Sequence, residues 1–166
     1  VDRLTIEGPH APTGAGGSAA RRKIFICKPT NAPDEPVCAR RILSSLARVA
    51  YRRPADKATV DTLMDFYKKG ETFEHGIESA LQLILASPEF LIRFEADPSN
   101  LAPNTAYRIN DIALASRLSF FLWSSLPDAP LLTLASQGRL KDPLVLEQQV
   151  TRMLADSRSQ ALVTNF

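Results

Sequence analysis

From Asp34 onward apolar residues recur at helical spacing, and before it they follow a different rhythm. Val1-Asp-Arg-Leu-Thr-Ile-Glu7 alternates apolar and polar side chains and then meets Gly8-Pro9, the pattern of a strand. His10 to Ala20 is rich in Gly, Ala, Pro and Ser and reads as a mobile loop. Lys23-Ile-Phe-Ile-Cys27 reads as a second short strand. Two strands alone make only a marginal sheet. Residues 1–34 are therefore expected to be the β tail of an upstream module plus a loop, or a ribbon laid on the helices.

The helical part divides at its prolines and caps. Asp34 is predicted to cap a helix with Pro36 in its first turn, where a missing N–H costs little. Its inward stripe is read as Ile42, Leu46, Val49 and Ala50; Arg52 and Arg53 suit its negative C-terminal end, and Pro54 stops it. The next helix runs from Asp56 to Lys69 with Val60, Leu63, Met64 and Tyr67 on one face, and Gly70 ends it. Thr72 caps a third, with Phe73, Ile77, Ala80, Leu81 and Ile84 inward, and Ser87-Pro88 starts a short one through Phe90, Leu91 and Phe94. Ala96 to Ala106 has no apolar periodicity and reads as a linker. Asn110 then caps a strongly apolar helix over 112–126, Asp128 caps one ending at Gly138, Asp142 caps the next with Leu146, Val150, Met153 and Leu154 inward, and Ser157 starts the last.

The expected fold class is all-α: two small helical clusters, about seven helices in all, preceded by a short two-strand β segment. The first helical domain spans 35–96, a linker 97–106, and the second domain 107–166, cut short at its C-terminus. The last helix runs to Asn165-Phe166 with no cap, so Leu162, Val163 and Phe166 are expected to form an apolar edge. The expected cover is the remainder of the same polypeptide, a second chain packing on this helix, or a copy of this one. Val1 is not an initiator Met and no signal peptide precedes it, which fits a processed exported chain or an internal piece.

Charge excludes little and suggests less. The net charge of +2 is too small to argue for nucleic acid. Arg40, Arg41, Arg48, Arg52 and Arg53 make the first helix basic, but Glu35 and Asp56 are at hand and no aromatic stacking run accompanies them. No apolar stretch reaches the roughly 20 residues that span a bilayer. The most aromatic stretch is Ser116-Arg-Leu-Ser-Phe-Phe-Leu-Trp123. Phe120, Phe121 and Trp123 cannot share one face of a helix, which predicts a helix buried on several sides, or one with a face for a cofactor or partner. Serines 116, 119, 124 and 125 have no His at motif spacing, so no hydrolase triad is read, and no Gly-rich phosphate loop opens a helix.

The two cysteines, Cys27 and Cys38, bracket Lys-Pro-Thr-Asn-Ala-Pro-Asp-Glu-Pro-Val. Zinc needs about four ligands, and the histidines, His10 and His75, are not placed to supply them. Neither cysteine begins a C-x-x-C-H haem attachment or a C-x-x-C redox pair. That leaves two separate thiols or one disulfide. The proline-rich turn can bring both ends together, and a bridge of this span would contribute ~3 kcal/mol in the loop-entropy picture. A structural disulfide implies an oxidising compartment.

Several stretches resemble a pair of adjoining domains of unknown function found in large secreted bacterial proteins, many from planctomycetes and acidobacteria. They are Cys38-Ala-Arg-Arg-Ile-Leu43, Ala50-Tyr-Arg-Arg-Pro54, Ala86-Ser-Pro-Glu-Phe-Leu91, Leu114-Ala-Ser-Arg-Leu-Ser-Phe-Phe-Leu-Trp-Ser-Ser-Leu-Pro-Asp128 and Arg152-Met-Leu-Ala-Asp156. The resemblance implies a multi-module exported polypeptide, periplasmic or extracellular, that often carries c-type cytochrome modules elsewhere in the chain. It implies no haem ligand and no catalytic residue within this segment. The function expected is a helical docking module beside redox modules; the alternatives are part of an oxidoreductase or polymer-degrading site completed by other segments and, less favoured, a nucleic-acid-binding domain.

Overall fold

The computed structural model of the chain describes residues 17–92, 102 and 105–165. Among these residues the secondary structure is helical, with no strand. The two-strand β segment is thereby corrected. The first predicted strand, Val1 to Glu7, lies outside the described residues. The second, Lys23 to Cys27, is replaced by helix α1, Ala19–Ile24, followed by irregular chain. Ser18 supplies the reason: its side chain accepts from the Arg21 amide and caps a run of Ala, Arg and Lys, all good helix formers. The β-favouring Ile24-Phe25-Ile26 finds no partner strand among the described residues, and a strand without a partner has no ladder to stabilise it.

The first half is built from α2 (Glu35–Ala50), α3 (Lys57–Tyr67), α4 (Phe73–Ala86) and the short α5 (Pro88–Leu91). A 3-10 turn over Ala32–Asp34, capped by the Asn31 side chain, runs straight into α2. Asp34 stands at the start of α2 but its carboxylate makes no capping bond; it accepts from the Thr30 hydroxyl instead. The buried stripe of α2 is Cys38, Ala39, Ile42, Leu43, Ala47 and Ala50, with Leu46 half-buried and Val49 turned outward at 41% exposure. Three alanines on that stripe let α3 and α4 pack close against it, which fixes which face is inward.

Asp56 caps α3 and Thr72 caps α4 through their side chains. The turn between them and the first turn of α4 each need a glycine. A Cβ on Gly70 would sit 2.2 Å from the Gly76 nitrogen, and one on Gly76 would sit 2.5 Å from the Tyr67 ring and carbonyl. Val60, Leu63 and Met64 of α3 and Ile77, Ala80 and Ile84 of α4 complete the apolar core.

The second half holds α6 (Asp111–Trp123), α7 (Ala129–Ser136), α8 (Pro143–Ala155) and α9 (Gln160–Asn165), the last preceded by a 3-10 turn at Ser157–Ser159. Asn110, Asp128 and Asp142 cap α6, α7 and α8 as the sequence predicts. Helix α6 ends at Trp123 rather than near Leu126, because Ser124 turns left-handed at φ 49°. Its inward face is Ala115, Ser116, Ser119, Leu122 and Trp123, and Leu131, Leu132, Ala135, Leu140, Val145 and Met153 are also buried in this half. Leu154, read as inward, is 49% exposed. No described helix is long and apolar enough to cross a membrane.

Candidate functional site

The halves meet at a cleft of ≈ 730 Å³ lined by Arg52, Phe90, Leu91, Phe120, Ser124, Ser125 and Leu126. One wall is the end of α5 and the other is α6 with the bend that follows it. The first wall is set by Arg52. Beyond the end of α2 its backbone goes left-handed, φ 56°, a conformation that costs a residue with a side chain. The buried guanidinium offsets that cost by donating to the carbonyls of Glu89 at 2.6 Å, and of Phe90 and Ile92 at 3.4 Å each. These carbonyls belong to α5 and the residue just after it, so Arg52 fastens the cleft's Phe90 and Leu91 to the end of α2. Arg53 ties the same place from outside, with Glu89 at 2.7 Å and Asp56 at 3.2 Å. The basic stretch of α2 and its exit is thus spent largely on internal partners, Arg40 on Asp61 and Arg48 on Thr133 included.

The second wall is set by Trp123. Its ring is 3% exposed, and its indole N–H donates to the Met153 carbonyl at 2.9 Å. The Arg158 guanidinium stacks 3.5 Å from the ring centroid, and that of Arg152 stands 5.7 Å away. Arg152 also makes a two-pronged bond to Asp128, at 2.7 and 3.1 Å. Burial pushes the Asp128 carboxyl upward, but the Arg152 guanidinium, the Leu131 amide and Arg158 outweigh it and hold it below its ordinary value. Bonds from the Arg158 side chain and amide hold Asp156 far lower. With Trp123 locked inward, the helical period turns Phe120 and Phe121 outward, at 40% and 54% exposure. The expectation of a helix buried on several sides is corrected here. Serines 116 and 119 share the inner face with Trp123, and the phenylalanines are left on the outer side.

At the cleft rim Asn165 donates its amide to Ser124 Oγ at 2.6 Å, so α9 reaches the same place. Phe166 lies outside the described residues. Val163 is 73% exposed, while Leu162 packs against the second core.

Cys27 and Cys38 are joined in a disulfide with Cα atoms 5.9 Å apart. The two lie in the first half, on the edge where irregular chain meets the start of α2, and they do not line the cleft. His75 is exposed in the first turn of α4, and His10 is outside the described residues. Among the described residues no group of three or more His, Cys, Asp or Glu side chains is arranged to hold a metal ion. The cleft can hold an apolar or aromatic group against Phe90, Leu91, Phe120 and Leu126, with the Ser124 and Ser125 hydroxyls beside it. Arg52 was legible only as a helix-end cation; its role follows from the left-handed backbone, which Arg-Arg-Pro does not announce.

Residues 38–95 match the family model PSD5, described as a protein of unknown function (DUF1595), and residues 109–166 match PSD4, described as a protein of unknown function (DUF1592). No curated protein and no solved structure matches the chain. The two matches fall on the two helical halves, the DUF1595 match on the first and the DUF1592 match on the second.

Proposed function

We propose that the chain is a helical docking module of a large exported multi-domain protein, seated against c-type cytochrome modules of the same polypeptide. The observation that carries this reading is the cleft between the halves. Its walls show Phe120 at 40% and Leu91 at 67% exposure, on a concave surface at the junction of two domains. Exposed apolar side chains grouped on one surface mark interaction sites. The disulfide supports an oxidising compartment, periplasmic or extracellular. Haem c belongs, in this reading, to C-x-x-C-H motifs in other modules; Cys27 and Cys38 are bonded to each other.

A photo-crosslinking residue at position 120 of the full-length protein tests this. The expected result is capture of a segment outside residues 1–166 of the same polypeptide, in a protein that shows haem Soret absorbance. Capture confined to the two helical halves, in a protein without a Soret band, would overturn it. The second reading, an active site completed by other segments, is favoured by the Ser124 and Ser125 hydroxyls on the same apolar wall. It predicts that Ser125→Ala abolishes turnover by the full-length protein without loosening the captured contact.

A further inference from the structure

The segment Ser18–Cys27 lies across the first half without entering its core. No residue of α1 is buried. The fully buried large side chains of this half, Ile42, Leu43, Leu63, Ile77 and Ile84, all come from α2, α3 and α4. What attaches the segment is a row of edge contacts and one covalent bond. Arg21 pairs with Glu74 and stacks over Phe25 at 4.5 Å. Phe25 meets Phe73 with ring centroids 6.3 Å apart. Ile24, Phe25 and Cys27 are only partly buried against the core. Cys27 is bonded to Cys38 in the first turn of α2.

These attachments are unequal. An exposed ion pair is weak and screened by salt. A helix of six residues is far below the roughly 12–15 needed to persist alone in water. Beneath the segment lies a groove of ≈ 670 Å³ whose apolar lining includes Ile24 and Phe25 from the segment and Phe73, Ile77 and Leu81 from α4. The segment is therefore a strap over an apolar face of α4, and its one strong anchor is the disulfide. Cys38 stands at the edge of the core it covers, and every other buried core residue lies downstream of it, so the covalent loop constrains the strap far more than the packing of α2 to α4.

We propose that the Cys27–Cys38 disulfide is a redox latch, whose reduction by a dithiol frees the strap and uncovers the apolar face of α4 while α2, α3 and α4 stay folded. A thiolate of the dithiol attacks Cys27 Sγ, because Cys27 is half-buried whereas Cys38 is 7% exposed. Cys38 leaves as a thiolate and takes up a proton. The second thiol of the reductant then attacks the mixed disulfide, releases Cys27 as a thiol and closes the reductant into its own disulfide. Two electrons and two protons pass from the dithiol to the two cysteines.

Amide hydrogen exchange on the full chain, oxidised and in excess dithiothreitol, tests the latch. The strap's own bonds report on it: the Arg22, Phe25 and Ile26 amides donate to the carbonyls of Ser18, Arg21 and Ile24. On reduction these amides should exchange at least about tenfold faster, while those inside α2, α3 and α4 change by less than about twofold. Cys27→Ser should reproduce the pattern without reductant. Accelerated exchange throughout α2 to α4 would make the bond a staple of the core and overturn the proposal. Unchanged exchange in the strap would show that edge contacts alone hold it, and would overturn it equally.

Discussion

In the first half the deepest side chains are aliphatic and come from three helices, whereas the second half buries Leu131, Leu140 and Met153 as deeply and adds an indole held by directional bonds. Ile42, Leu43, Leu63, Ile77 and Ile84 are each at most 1% exposed, and their charged neighbours, such as Arg40 with Asp61, stay at the surface. Trp123 is also buried, at 3% exposure, but its position is set by the Met153 carbonyl, by Arg158 over its face and by Asp128 holding Arg152. An aliphatic core depends on volume and is indifferent to charge. A clamped indole depends on geometry and on ionised partners, so the same perturbation should separate the halves.

The largest separation should come from Trp123→Ala. Truncating a buried aromatic residue costs ~3–5 kcal/mol, and here the Met153 carbonyl also loses the shorter of its two bonds, keeping the one from the Asp156 amide. Denaturant unfolding should show that loss, with the hydrogen-exchange protection of α6 and α8 falling further than that of α2 and α4. A uniform fall in both halves would mean that they unfold as one unit and would erase the contrast.

A smaller effect should appear in the first half alone. Gly70→Ala forces a Cβ against the Gly76 backbone, which has no flexible end to yield, and should cost ~1–3 kcal/mol in thermal unfolding. A gain in stability would mean that the turn opens freely and that the α3–α4 contact is not limiting.

These two sites also show what could be read in the chain. Helix positions followed from prolines and caps, because Asn110, Asp128, Asp142, Asp56 and Thr72 each satisfy an amide that a helix start leaves open. Inward faces were less legible. On α6 the buried set 115, 116, 119, 122 and 123 is one helical stripe, but serine reads as polar and hid it. On α2 the alanines carried the stripe and Val49 misled in the other direction. The strap was misread because Ile24-Phe25-Ile26 carries β propensity, which loses to a Ser18 cap when no partner strand is near. The cleft itself was not legible, since it joins α5, the end of α2 and the bend after α6, which only the tertiary arrangement brings together.

Acid should widen the contrast modestly. The folded pKa of Asp128 is lowered, so it contributes stability that is present above the unfolded value of about 3.9 and is lost as pH falls through the folded value. Asp156 acts in the same direction. In the first half the lowered carboxyls, Asp56 and Asp61, face solvent, and salt screens them more fully. At high salt, then, acidification below about pH 4 should loosen the second half first. Asp128→Asn keeps an acceptor for the Leu131 amide but removes the charge facing Arg152; it should cost about 1 kcal/mol at pH 7 and flatten the acid limb. An unchanged acid limb in this variant would remove Asp128 from the account.

The smallest effect concerns what joins the halves. Arg48 Nη2, on the outer side of α2, donates to Thr133 Oγ1 of α7 at 2.7 Å, and that hydroxyl in turn donates to the Ala129 carbonyl. The bond is charge-assisted but part-buried and made by a long side chain, so its net worth should be ~0.5–1 kcal/mol. Because neither residue belongs to either apolar core, Arg48→Ala and Thr133→Val should leave the separate packing of each half intact. A double-mutant cycle on the two should return a coupling of that size. If the halves behave as distinct bodies with a thin polar tie, the single variants should also raise capture yield or solvent access at position 120 in the cleft. A coupling near zero, with the cleft unchanged, would mean that Arg48 merely rests on α7 and that the relative placement of the walls is decided by the cleft-lining side chains themselves.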